Sequence, residues 1–183
     1  MDAEQLRALQ APLKETYRND PGAGVVTLRV AGRLGEGISC RVETAKGLVE
    51  AGLHPASGGD GTAACSGDML LEALAACAGV TLRAVATAIG VELRGGTVTA
   101  EADLDFRGTL GVSKEVPVGL QGIRLHFDLD SDADEERLAT LMRLTTRYCV
   151  VYQTLASPPA ISVTHGQVGS ATGGGRGRAE AGP

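Results

Sequence analysis

The segment from Asp68 to Ile89 constrains the fold more than any other. It reads Met69-Leu70-Leu71-Glu72-Ala73-Leu74-Ala75-Ala76-Cys77-Ala78-Gly79-Val80-Thr81-Leu82 and continues through Arg83-Ala84-Val85-Ala86-Thr87-Ala88-Ile89. Alanine and leucine favour helix. Ser66 suits an N-cap, Asp68 complements the helix dipole in the first turn, and Gly90 suits the C′ position. The polar residues are too few for a continuous wet face, so the pattern predicts a helix buried nearly all round. Its Ala/Gly-rich middle lets another backbone approach closely. The chain has no 18-residue run free of charge that would read as a membrane span, so none is expected.

The flanking sequence supplies the layers for such a helix. Leu6, Leu9, Leu13 and Tyr17 recur at helical spacing, which predicts an N-terminal helix over residues 1–20. Three short strands with glycine turns follow, over 24–30, 38–44 and 48–51. Residues 53–66 read as a Gly/Ala/Ser-rich loop. After the central helix come two long strands, 96–107 and 118–130. Ser131 then opens a second helix, with Asp132, Asp134, Glu135 and Glu136 early and Arg143 and Arg147 late, the order the dipole prefers. Leu138, Met142, Thr145, Cys149 and Tyr152 share one face of it, and Pro158-Pro159 ends it. Residues 160–164 alternate as a last strand. From 165 to 183 the chain is mainly Gly, Ala and Arg, which predicts a disordered tail. Runs of strands with inserted helices make this an α+β domain over residues 21–164.

Composition narrows the function. The net charge of −5 and an aromatic content of 3% argue against nucleic-acid partners, which need a basic face and stacking platforms. Asp2 and Glu4 in an amphipathic start are wrong for a secretory signal, so a cytoplasmic protein is expected. Cys40, Cys65, Cys77 and Cys149 show no C-x-x-C spacing, so neither a metal site nor a cofactor is expected. Gly58-Gly59-Asp60-Gly61-Thr62 lacks the Lys-Ser/Thr of a phosphate loop and reads as a turn. His54 has no evident carboxylate partner, and Ser66 no histidine, so neither makes a hydrolase site. The acidic residues from Asp128 to Glu136 lack the glycine and closing glutamate of a calcium loop.

Cys77 and Cys149 remain, each within an apolar helical pattern. Their contexts, Leu71-Glu72-Ala73-Leu74-Ala75-Ala76-Cys77 and Cys149-Val150-Val151-Tyr152-Gln153-Thr154-Leu155, resemble the two cysteine motifs of the OsmC/Ohr family, the osmotically induced and organic hydroperoxide resistance proteins. The spacing between them and the order of elements over residues 24 to 164 are similar as well. The resemblance implies antiparallel sheets packed around two long central helices in an intertwined homodimer. It implies a cysteine-based peroxidase that uses organic hydroperoxides and a dithiol reductant. Cys77 would be the attacking thiolate and Cys149 its resolving partner, with Arg33 as the supporting cation. The rival expectation is a non-catalytic, ligand-binding or structural relative whose cysteines merely pack.

Two positions depart from the family pattern. Where better-studied members carry Pro-Glu, with the glutamate holding the arginine, this chain has Ser66-Gly67, and Asp68 is the nearest carboxylate. After the second cysteine the family often has proline; here it is Val150. A slow peroxidase is therefore expected.

Overall fold

The structure, a computed structural model, describes residues 2–20, 32–34, 39–44 and 47–165, without the side chains at 9, 13, 16–18, 32–34, 39–44 and 47. Helix α1 (Ala3–Asn19) leads, as its spacing predicts, and touches the central helix. Strands β1 (Gly32–Leu34), β2 (Ser39–Thr44) and β3 (Gly47–Gly52) form an antiparallel meander. The strand expected over 24–30 lies outside the described residues, as does the tail beyond 165. A two-residue strand, β4 (Ala64–Cys65), adds in parallel to β3 and completes a sheet in the order β1-β2-β3-β4.

The intervening loop is ordered by its own chemistry. His54 accepts a hydrogen bond from the Ala56 N–H at Nδ1 (3.0 Å), capping a single 3-10 turn at Pro55–Ser57, and its ring stacks on Phe106 at 4.9 Å. Gly59 has no alternative here, because a Cβ would fall 1.8 Å from the carbonyl oxygen of Leu53.

Helix α2 (Ser66–Ile89) starts one residue earlier than expected. Cys65 takes the N-cap position without a side-chain hydrogen bond, and Ser66 lies inside the helix. Gly90 ends it at φ 72°, the left-handed cap that glycine adopts without a Cβ clash. The expected all-round burial does not occur within one chain. Leu74, Ala78, Leu82, Val85 and Ala86 are buried, whereas Leu70, Ala73, Ala76 and Val80 on the other side are exposed. One chain supplies cover for one face only. Among the described residues α2 alone is long and apolar enough to cross a membrane, but its buried face packs on α4 and β5 as a core helix does.

Strands β5 (Gly95–Asp103) and β6 (Gln121–Asp130) pair antiparallel, with Val98 opposite Phe127 and Thr99 opposite His126. Both are shorter than the pattern suggests. Asp105 caps a one-turn helix, α3 (Phe106–Thr109), by accepting from the Arg107 N–H at 3.0 Å, which ends the extended run. The core lies between this hairpin, α2 and the next helix. Leu82, Val85, Ala86, Val91, Leu93 and Leu141 form it, with Phe127, Leu129, Leu138 and Met142 against them.

Helix α4 (Glu135–Tyr148) is capped by Asp134, whose carboxylate accepts from the Arg137 N–H at 2.8 Å. Ser131 is occupied elsewhere: its hydroxyl donates to the Glu92 carbonyl at 2.7 Å. The single helix expected through to Pro158 is instead two. The backbone turns extended at Cys149 (φ −72°, ψ 111°), and α5 (Val150–Ala156) follows. Residues 160–164, the expected last strand, pair with nothing among the described residues, and Ile161 and Val163 stand exposed. The α+β class holds, with helices inserted between sheets that are antiparallel except at the short β3–β4 pair.

Candidate active site

Cys77 sits midway along α2 and is half-buried, at the seam between the packed face and the exposed strip. Cys149, at the junction of α4 and α5, is 1% exposed. Both are free thiols. Their side chains, 72 residues apart in sequence, lie within hydrogen-bonding reach of each other.

The break at Cys149 shapes this meeting. In an uninterrupted helix the N–H groups of Val150, Val151 and Tyr152 would bond to the carbonyls of residues 146, 147 and 148. The turn at Cys149 redirects them. Val150 and Val151 bring their N–H groups within reach of the Cys77 sulfur, and Tyr152 brings its own within reach of the Cys149 sulfur. The Thr81 hydroxyl, one turn beyond Cys77 on α2, also reaches the Cys77 sulfur.

These contacts set the two thiols apart electrostatically. Burial alone pushes the Cys77 thiol up, but the Val151 N–H, the Cys149 thiol, the Val150 N–H and the Thr81 hydroxyl together outweigh it, and its pKa falls below the ordinary value. Burial pushes the Cys149 thiol up, and its neighbour Cys77 adds to the rise. The thiol of lower pKa is the one that ionises first. The sequence motifs point to both cysteines. They do not point to Val150, Val151 or Thr81, although the spacing of Thr81, four residues after Cys77 on one helix face, was a readable signal.

An apolar groove of about 430 Å³ lies between α2, α5 and β6, and neither cysteine lines it. Leu74, Leu125, Phe127, Tyr152 and Leu155 line it. Leu74 is one turn before Cys77 on α2, and Tyr152 is the residue whose N–H approaches Cys149. Thr145, one turn before Cys149, is fully buried, and its hydroxyl has no hydrogen-bond partner among the described residues.

The other expected site residues are not brought to the thiols by any described contact. Asp68 is exposed at the start of α2, nine residues and about 13 Å along the axis from Cys77. No hydrogen bond or ion pair of Asp68 occurs among the described residues. Arg33 pairs with Arg41 in the β1–β2 ladder, and its side chain lies outside the described residues, as does that of Cys40. Cys65 is half-buried at the N-cap of α2. Among the described residues no group of three His, Cys, Asp or Glu side chains could hold a metal ion.

Comparison with known proteins agrees with the fold. A family model described as OsmC-like protein matches residues 59–164, more than half of the chain. The fold is similar to that of an OsmC-like protein from Mycoplasma pneumoniae, with a TM-score of 0.62 and 17% identity over 73% of this chain and 89% of that one. It is similar to an organic hydroperoxide resistance protein OsmC from Legionella pneumophila, with a TM-score of 0.56 and 20% identity over 73% and 93%. OhrB, the organic hydroperoxide resistance protein of Bacillus subtilis, gives 0.53 and 18% over 73% and 93%. No curated protein matches the sequence.

Proposed function

The chain belongs to the OsmC-like protein family, and on that premise we propose that it is a cytoplasmic, thiol-dependent peroxidase that reduces organic hydroperoxides. The observation that carries the proposal is the meeting of two free thiols, Cys77 midway along α2 and Cys149 at the break between α4 and α5, with the Cys77 pKa lowered and that of Cys149 raised. Relatives of the same fold that are named for organic hydroperoxide resistance support it.

In the proposed reaction the Cys77 thiolate attacks one peroxide oxygen. The O–O bond breaks, the alkoxide leaves and takes a proton to become an alcohol, and Cys77 is oxidised to a sulfenic acid. Cys149, as a thiolate, then attacks the Cys77 sulfur, hydroxide leaves as water, and a disulfide forms. A dithiol reductant supplies two electrons and two protons to restore both thiols. The residues divide these tasks. The Val150 and Val151 N–H groups and the Thr81 hydroxyl stabilise charge on Cys77, burial keeps Cys149 protonated until the sulfenic acid forms, and the groove holds the organic part of the substrate. Arg33 is assigned the supporting cation and Asp68 its nearest carboxylate. The exposed strip of Leu70, Ala73, Ala76 and Val80 supports a homodimer, since a second copy would cover what one chain leaves open.

Mass spectrometry of the thiols before and after one equivalent of an organic hydroperoxide tests the proposal. A Cys77–Cys149 disulfide is expected, with Cys77→Ser inactive and Cys149→Ser halted at a Cys77 sulfenic acid that overoxidises with excess peroxide. Both thiols remaining reduced would favour the rival, a protein whose cysteines only pack.

A further inference from the structure

The break between α4 and α5 leaves a gap that one side chain fills. In a continuous helix the Thr146 carbonyl would accept from the Val150 N–H. Here the backbone turns extended at Cys149 and Val150 opens α5 instead, where its N–H lowers the Cys77 pKa. The vacated carbonyl is taken by Gln153, whose side-chain amide donates to the Thr146 oxygen at 2.8 Å. The bonds on either side are regular: the Cys149 N–H donates to the Thr145 carbonyl and the Gln153 N–H to the Cys149 carbonyl, each at 2.9 Å. Gln153 is exposed, so its amide is not needed to satisfy a buried group of its own.

We propose that Gln153 is a positioning residue: by occupying the Thr146 carbonyl it holds the break between α4 and α5 open and keeps the Val150 and Val151 N–H groups on the Cys77 sulfur. The inference rests on reading Cys77 as the nucleophile. It adds a residue that touches neither thiol. With the amide removed, the Thr146 carbonyl again competes for the Val150 N–H, since an unpaired backbone carbonyl favours any donor within reach. One turn of helix would then extend across Cys149 and withdraw a donor from Cys77.

The test compares variants in the full chain. Gln153→Met keeps the length and removes the donor, Gln153→Glu removes it and adds a charge, and Gln153→Lys restores a donor of similar reach. The readout is the pH dependence of Cys77 alkylation by iodoacetamide, resolved by peptide mass spectrometry. Gln153→Met and Gln153→Glu should shift the midpoint to higher pH and slow alkylation at neutral pH about three- to tenfold, the effect of one weakened hydrogen bond. Gln153→Lys should stay near wild type. Equal midpoints in all four proteins would overturn the inference, and so would equal shifts in all three variants, which would mark a packing effect. Alkylation needs no peroxide, so a wild type that fails to reduce hydroperoxide would refute the proposed reaction without deciding this inference.

Discussion

Replacing Thr81 by valine separates the environment of Cys77 from its mere presence. The Thr81 hydroxyl reaches the Cys77 sulfur from one turn along α2. Valine keeps the branched shape and removes the donor. Thr81 is the weakest of the four groups that lower the Cys77 pKa, so its loss matches the low end of a net hydrogen bond, about 0.5 kcal/mol. The substitution should raise the Cys77 pKa. The effect on stability has a definite sign. A thiol whose pKa is lowered on folding adds stability that is fully present above its unfolded pKa and is lost as pH falls through the folded value. Thr81→Val should therefore leave the unfolding free energy unchanged at acid pH, where the thiol is protonated in both states, and reduce it by about 0.5 kcal/mol near about pH 9.5. Below the Cys77 midpoint the thiolate fraction, and with it the rate of alkylation at Cys77, should fall about twofold. Urea titrations at the two pH values and peptide-resolved alkylation measure both. An alkylation midpoint that does not move, with a protein folded as wild type, would refute the reasoning and leave the charge on Cys77 to the two backbone N–H groups.

Thr145→Val exchanges an unpartnered buried hydroxyl for a methyl of the same shape, so it should stabilise the fold by about 1 kcal/mol in urea denaturation; destabilisation would show that the hydroxyl has a partner. Gly67→Glu meets only the Cys65 sulfur at 3.6 Å and Leu120 at 4.0 Å from its new Cβ, so it fits without strain. It should raise the thermal midpoint through helix propensity, worth up to about 1 kcal/mol, and raise the second-order rate with an organic hydroperoxide, a gain that Arg33→Ala should cancel. Val80 is 73% exposed, so Val80→Glu should leave a single chain folded but shift native mass spectra from dimer to monomer at micromolar concentration; an unaltered dimer would place the contact elsewhere.

The central helix and the α+β order were legible because each rests on a long or repeated pattern. What was not legible depended on partners distant in sequence. The steps Leu138, Met142, Thr145, Cys149 and Tyr152 are as regular as any helix, yet the backbone turns at Cys149, where donors beyond the turn find the Cys77 sulfur. Residues 160–164 alternate as a strand should, but a strand exists only through pairing, and no described neighbour provides it. Ser131, Asp132 and Asp134 are all fitting caps. The Glu92 carbonyl claims Ser131 and the Arg94 guanidinium claims Asp132, which leaves the helix start to Asp134. Similarly, burial of α2 was correctly anticipated on one face, because its five inward residues find α4 and β5 within the chain, and not on the other.

The meeting of Cys77 with Cys149 also links oxidation to folding. A bond between them would close a ring of about 70 residues, and in an unfolded chain closing such a ring costs about 4 kcal/mol of chain entropy. The folded chain has already brought α2 and α5 together, so that cost is absent there. By the thermodynamic cycle, the oxidised protein resists unfolding by about 4 kcal/mol more than the reduced one. The same cycle places the reduction potential of the folded pair about 90 mV below that of the two thiols on the unfolded chain. A reductant able to recycle the protein must therefore work against the architecture, and denaturant would make the pair easier to reduce.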